Sequence, residues 1–66
     1  MTPLDTRQAL GLTIAEMARL LDVPRSTWDC WERGERQPGR AAMSLMALWV
    51  RLKMEWPEVY EGLKKI

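Results

Sequence analysis

The stretch Leu12–Gly34, LTIAEMARLLDVPRSTWDCWERG, decides the fold. It reads as two short helices joined by a tight corner. Thr13 is placed to cap the first helix, and Glu16 three residues later completes a capping box, which satisfies two orphan backbone donors at once. Leu12 before the cap and Met17 after it form the expected hydrophobic staple. Met17, Ala18 and Leu21 share one face at helical spacing, and the small Ala18 lets a second helix cross closely. Asp22 falls at the corner. Aspartate tolerates the left-handed conformation better than most residues, though less well than glycine. Val23 is the expected buried corner residue, and Pro24, with its ring torsion preset, is expected in the first turn of the second helix. Trp28 and Trp31, three apart, make the inner face of that helix, and Gly34 stops it.

From Leu10 to Pro38 the chain resembles the phage-repressor (Cro-like, XRE-type) helix-turn-helix family. It follows that family's running pattern, LGLT-x-AE-x-A-x-LL-x-V-x-RST-x-x-x-WERG-x-R-x-P, almost throughout. The resemblance extends over about Thr6 to Met46. It implies an all-α, compact four- to five-helix lambda-repressor-like domain that binds double-stranded DNA and commonly acts as a dimeric repressor. It also implies that Arg7 in the first helix pairs with Glu32 near the end of the recognition helix. Two positions depart from the pattern. Ile14 stands where members often carry a phosphate-holding Gln, which leaves that contact unassigned. Pro24 stands where the second helix usually begins with Ser or Thr, which changes how that helix is capped. The Trp-x-x-Trp-Glu arrangement and the short length further resemble the autoregulators that accompany anti-CRISPR genes.

Composition sets outer limits. Sixty-six residues accommodate one domain, residues 1–66, with a small core. Charged residues at 29% and apolar residues at 47% are ordinary for a globular protein. No apolar run approaches the ~20 residues of a membrane span, so no membrane partner is expected. The N-terminus MTPLDTRQ lacks a signal-peptide layout, and the single cysteine excludes an intrachain disulfide. Both fit a cytoplasmic protein. The net charge of +1 is low for a nucleic-acid binder, but Arg25, Arg33, Arg36 and Arg40 all fall on the second motif helix or the loop after it.

Outside the motif, Thr2-Pro3-Leu4-Asp5 offers a cap, a first-turn proline and an acidic third position, predicting a helix from about Pro3 to Leu10 that stops at Gly11. GERQPG, residues 34–39, is a loop. A long helix follows from Arg40 toward Glu55, and Pro57 breaks it and starts a last helix. On a wheel of about 100° per residue, Ala42, Leu45, Trp49, Leu52 and Trp56 form one apolar face of the long helix. Met43, Met46, Val50 and Met54 form an adjacent one, and Arg40, Ser44, Arg51 and Glu55 make the polar stripe. The combined apolar arc is about twice the ~100° that packing on a core requires. One face is expected on the motif helices, and the other against Val59, Tyr60, Leu63 and Ile66 of the last helix or against a second subunit. Residues 40–65 are therefore expected to dimerise the protein through Met43, Met46, Val50, Met54, Val59, Tyr60 and Leu63. The alternative is that the last helix folds back and covers both faces.

A recognition helix lies in the major groove with its N-terminal residues toward the base edges. With Trp28 and Trp31 inward, Arg25, Ser26, Asp29 and Cys30 point out as the candidate base readers. The Arg25 guanidinium can bind guanine O6 and N7 together. Ser26 can bond a base or a phosphate. Asp29 is open between accepting from cytosine N4 and pairing with Arg25 or Arg33 one turn away. Cys30 can touch a thymine methyl; a redox role is the competing reading. The resemblance places phosphate contacts at Arg33, Arg36, Gln37 and Arg40, with Thr13 and Thr27 adding hydroxyl or backbone contacts.

No catalysis is expected. The chain has no histidine, no Gly-rich phosphate loop, no metal-ligand spacing and no nucleophile with a partner base, so neither a cofactor nor a metal is implied. Three roles remain. The leading one is a dimeric, sequence-specific repressor, an autoregulator in its simplest form, acting on an inverted repeat. The second is an antitoxin whose C-terminal apolar face binds a toxin. The third is a protein-interaction module that retains the fold.

Overall fold

The computed structural model describes residues 2–65, and among them the chain forms five α-helices and no strand. α1 spans Pro3–Leu10, α2 Ile14–Leu20, α3 Arg25–Glu32, α4 Arg40–Glu55 and α5 Pro57–Lys64. Local chemistry sets most of these boundaries. The Thr2 hydroxyl accepts from the Asp5 N–H at 3.1 Å and the Asp5 carboxylate accepts from the Thr2 N–H at 3.2 Å, so α1 opens on a capping box. Thr13 and Glu16 repeat the device at α2, at 3.1 and 2.9 Å.

The first three helices all end in the same closure. A residue of positive φ follows each helix, and the next N–H bonds back into the last turn. At α1 the residue is Gly11 (φ 69°), and the Leu12 N–H reaches the Arg7 carbonyl at 3.2 Å. At α2 it is Asp22 (φ 56°), with the Val23 N–H on the Ala18 carbonyl at 3.0 Å. At α3 it is Gly34 (φ 76°), with the Glu35 N–H on the Cys30 carbonyl at 3.0 Å. The corner residue Asp22 thus adopts the left-handed conformation its side chain tolerates.

Pro24 departs from expectation. Rather than lying inside the first turn, it is the N-cap of α3, in extended conformation (φ −60°, ψ 145°). Its carbonyl accepts from the Thr27 and Trp28 N–H groups at 3.0 and 3.2 Å. Having no side-chain acceptor, proline leaves α3 without a side-chain cap.

Leu10, Leu12, Met17, Ala18, Leu21, Trp28, Met46, Val50 and Tyr60 form the buried core. α2 packs on α3, α1 on both α3 and α4, and α4 on α5. Lys53 fixes the rotation of α4 by donating to the Ala9 and Leu10 carbonyls at the end of α1, at 3.4 and 3.1 Å. The buried line of α4 consequently runs between the two apolar faces read from the sequence. This corrects the dimer surface: Met46, Val50 and Tyr60 belong to the core. The cause is α5, which folds back so that the Tyr60 ring meets Trp49 edge-on at 5.9 Å between centroids. Met43, Met54, Val59 and Leu63 stay exposed. So do Trp56, placed by the sequence on the packing face, and Leu48, which sits beside the expected polar stripe. Ile66 lies outside the described residues.

Candidate nucleic-acid interface

α3 is held from behind. Trp28 is fully buried and meets Trp31 edge-on at 5.6 Å between centroids, which turns the opposite side of this two-turn helix outward. At its C-terminal end the Glu32 carboxylate receives three donors. Arg7 Nε donates to Oε2 at 2.5 Å and Arg7 Nη2 to Oε1 at 3.0 Å, while the Trp28 indole N–H also donates to Oε2. Arg7 Nη1 continues to the Leu12 carbonyl at 3.1 Å. One fork therefore ties α1, the segment entering α2, and α3 together. The Arg7 hydrogen bonds, reinforced by Trp28, hold the Glu32 carboxyl below its ordinary range against the opposing effect of burial. The same pairing raises the Arg7 guanidinium further above its usual value. The Arg7–Glu32 pair implied by the resemblance is present.

On the outer side, Arg25 and Ser26 are exposed at the start of α3, and Thr27, Asp29 and Cys30 are half-buried. Asp29, open between two roles in the sequence, accepts an ion pair from Arg33 Nε at 3.2 Å. Arg33 Nη1 also meets Glu35 at 3.3 Å. Cys30 Sγ lies 3.7 Å from the Glu35 carboxylate and 3.8 Å from Arg33 Nη2. A phosphate reaching Arg33 must therefore displace carboxylates. The sequence reading missed the Glu35 partner because the closure at Gly34 brings it back across the helix end. The spacing Asp29–Arg33 was the only local signal.

The loop after α3 is anchored by the buried Pro38 and presents Arg36 and Gln37 to solvent. Arg40 is exposed at the first position of α4. Gly39, the N-cap of α4, contributes no side-chain acceptor, so the first amide donors of this 16-residue helix lack a side-chain cap and point toward the positive end of its dipole. The sequence carries a signal for this, glycine immediately before Arg-Ala-Ala, which is also ordinary loop punctuation. Thr13 spends its hydroxyl acceptor on its own capping box, which leaves its O–H free to donate.

Two short helices, α2 and α3, packed on each other across the corner at Asp22 within a five-helix domain are the arrangement of the helix-turn-helix class. Residues 5–48 match the model of the helix-turn-helix domain family. That match spans two-thirds of the chain, and the protein belongs to this family. No curated protein and no solved structure is significantly similar to the chain. Among the described residues, no helix is long and apolar enough to cross a membrane.

Proposed function

We propose that this protein is a sequence-specific regulator of transcription that binds double-stranded DNA as a homodimer and represses by occluding a promoter. The observation that carries the reading is the charge arrangement around α3. Arg25, Arg36 and Arg40 have no ion-pair partner among the described residues, whereas Asp29, Glu32 and Glu35 are each matched to an arginine. With α3 in the major groove, Arg25 and Ser26 are the base readers. Cys30 is a minor apolar contact in the last turn of the helix, and Asp29 acts through Arg33. Arg36, Gln37, Arg40 and the first amides of α4 grip phosphates on one side, and Thr13 and Thr27 add donors on the other. The phosphate contacts set register and affinity; Arg25 supplies discrimination.

The test is selection of bound sequences from a random double-stranded DNA library at near-physiological salt. Enrichment of an inverted repeat with half-sites about one helical turn apart is the expected result. Failure of a folded sample to enrich any sequence, with no salt-dependent DNA binding, overturns the reading.

A further inference from the structure

We propose that the cleft between α2 and α5 binds an aromatic carboxylate, a small flat apolar molecule carrying one anionic group. α2 packs on α3 and α5 packs on α4, but the two do not pack closely on each other. Between them lies a cleft of about 320 Å³, at the lower end of the roughly 300–1,000 Å³ of small-ligand sites. Leu12, Leu20, Trp49 and Leu63 supply its apolar surface. Leu12 is buried and Leu20 and Trp49 are packed against the core, so the inner wall is held in place by the fold. No residue of α3 lines the cleft, and neither does any group assigned above to DNA.

The polar groups around this cleft are nearly all donors. Arg19, Lys64 and Lys65 bring three cations to it against one carboxylate, Glu16. That carboxylate is already committed, because it accepts from the Thr13 N–H at 2.9 Å. Arg19 and Lys65 are exposed and have no ion-pair partner among the described residues, while Lys64 meets Glu61 at 3.2 Å. Deeper in, the Trp49 indole N–H and the Tyr60 hydroxyl are buried without a hydrogen-bond partner among the described residues. Tyr60 meets Trp49 edge-on, and Lys64 Nζ stands 5.3 Å from its ring centroid. Both orphan groups therefore sit on the cleft wall or directly behind it. A carboxylate answers this inventory, since its oxygens only accept and its bonds to guanidinium and ammonium groups are charge-assisted. A neutral molecule leaves those cations unused, and a cationic one is repelled by them. The Trp49 indole and the three leucines match a flat ring as the apolar body.

The test titrates the whole chain, free of DNA, with cinnamate as the probe and follows amide and indole N–H signals by NMR. Cinnamate is expected to saturate with a Kd below about 1 mM and to shift signals of Leu12, Arg19, Leu20, Leu63 and the Trp49 indole. Cinnamyl alcohol, which keeps the ring and removes the charge, should bind at least about tenfold more weakly, and cinnamylamine should not bind. Arg19→Gln should weaken cinnamate several-fold and leave the alcohol unchanged. Leu63→Glu, at a position 44% exposed, should abolish binding of the acid with unchanged far-UV circular dichroism. Arg51→Gln, on an exposed arginine outside the cleft, should bind like the wild type. No saturation by cinnamate overturns the proposal, as do equal affinities for the acid and the alcohol, or shifts that fall outside the cleft. A wild type that ignores cinnamate, with Arg19→Gln and Lys65→Gln each flattening the salt slope of DNA binding by about one, assigns these cations to phosphate and also overturns it. Because the titrations contain no DNA, their failure leaves the regulatory reading standing. Failure of the DNA selection likewise leaves the cleft standing.

Discussion

Replacing Glu32 by alanine removes the acceptor of three hydrogen bonds at once. The loss is smaller than three times a charged hydrogen bond, because the partners differ in what remains to them. Arg7 is 21% exposed and keeps its bond to the Leu12 carbonyl, so water recovers part of its solvation. The indole N–H of the fully buried Trp28 has no such recourse. A buried donor left unpaired costs about 1–3 kcal/mol, and a lost charged bond about 1.5–3 kcal/mol. Together these give about 3 kcal/mol for the substitution. A domain of this length has roughly 3–10 kcal/mol in total, so the variant is expected to sit near the edge of folding. In urea, with a slope of about 1 kcal/mol per molar for so small a protein, the unfolding midpoint should fall by about 3 M. Glu32→Gln keeps an acceptor for Trp28 and should lose about half as much. A double-mutant cycle of Arg7→Ala with Glu32→Ala should give a coupling of at least 1 kcal/mol. A loss under 1 kcal/mol for Glu32→Ala, or additive single effects in the cycle, would refute the idea that this carboxylate holds α3 in place.

Other perturbations probe separate parts of the argument. The Glu32 carboxyl is held low by Arg7, and those of Asp5 and Glu16 are held low chiefly by the Thr2 and Thr13 backbone N–H groups. Each has a folded value below its unfolded one, so its stabilisation is complete above the ordinary carboxylate range and lost as pH falls through the lowered values. The melting temperature should be flat from about pH 7 to 5 and fall below about pH 4.5; a fall beginning near neutrality would contradict this. Asp22→Gly should raise stability by about 0.5–1 kcal/mol by removing a non-glycine residue from the left-handed region, and Asp22→Val should lower it by about 1–2 kcal/mol, both read from thermal unfolding. Arg25→Ala should relax preference at one symmetric base-pair position by about 1–3 kcal/mol, whereas Arg36→Ala should weaken all duplexes alike and flatten the salt slope by about one. Equal loss on cognate and scrambled duplexes for Arg25→Ala removes its assignment as a reader. Asp29→Asn should release Arg33 toward phosphate and steepen the salt dependence of binding by about one charge; an unchanged slope means Arg33 stays with Glu35 and off the DNA.

The parts of this fold legible in sequence are those governed by short-range rules. Capping boxes at Thr2 and Thr13 need only a side chain and an amide three residues apart. The closures at Gly11, Asp22 and Gly34 need only a residue that accepts positive φ. The inward phase of Trp28 and Trp31 follows from their spacing and the motif around them. The rotation of α4 was not legible. A helix apolar over most of its circumference offers several equivalent ways to bury a face, and the choice is made by distant groups: Lys53 on the α1 carbonyls and Tyr60 arriving from α5. Trp56 belongs by spacing to an apolar face, yet the observed rotation leaves it exposed. The outer side of α3 shows the same division. That Arg25 and Ser26 are exposed at the start of α3 follows from their position, but the second partner of Arg33 lies beyond a turn that sequence spacing does not measure.

The low net charge of the chain poses the main physical objection to DNA binding, and the structure answers it by where the acids are. A carboxylate near a phosphate repels it in proportion to how freely its charge is presented. Glu32 presents little, because its oxygens are turned inward onto Arg7 and Trp28 and its side chain is 11% exposed. Asp29 and Glu35 present more, but both are drawn to one guanidinium at 3.2 and 3.3 Å. Asp5 and Glu16 are spent at helix N-termini, where the helix dipole compensates them. Arg25, Arg36 and Arg40 meanwhile are exposed and stand outside these pairs. Affinity for a polyanion depends on charge within about a Debye length of the phosphates, about 8–10 Å at ordinary salt, and not on the sum over the chain. A protein of net charge +1 can thus offer a cationic edge to DNA while staying nearly neutral elsewhere. On the proposed reading, non-specific binding is expected to be weak, and a larger share of the affinity is expected to come from Arg25 and Ser26 at the start of α3.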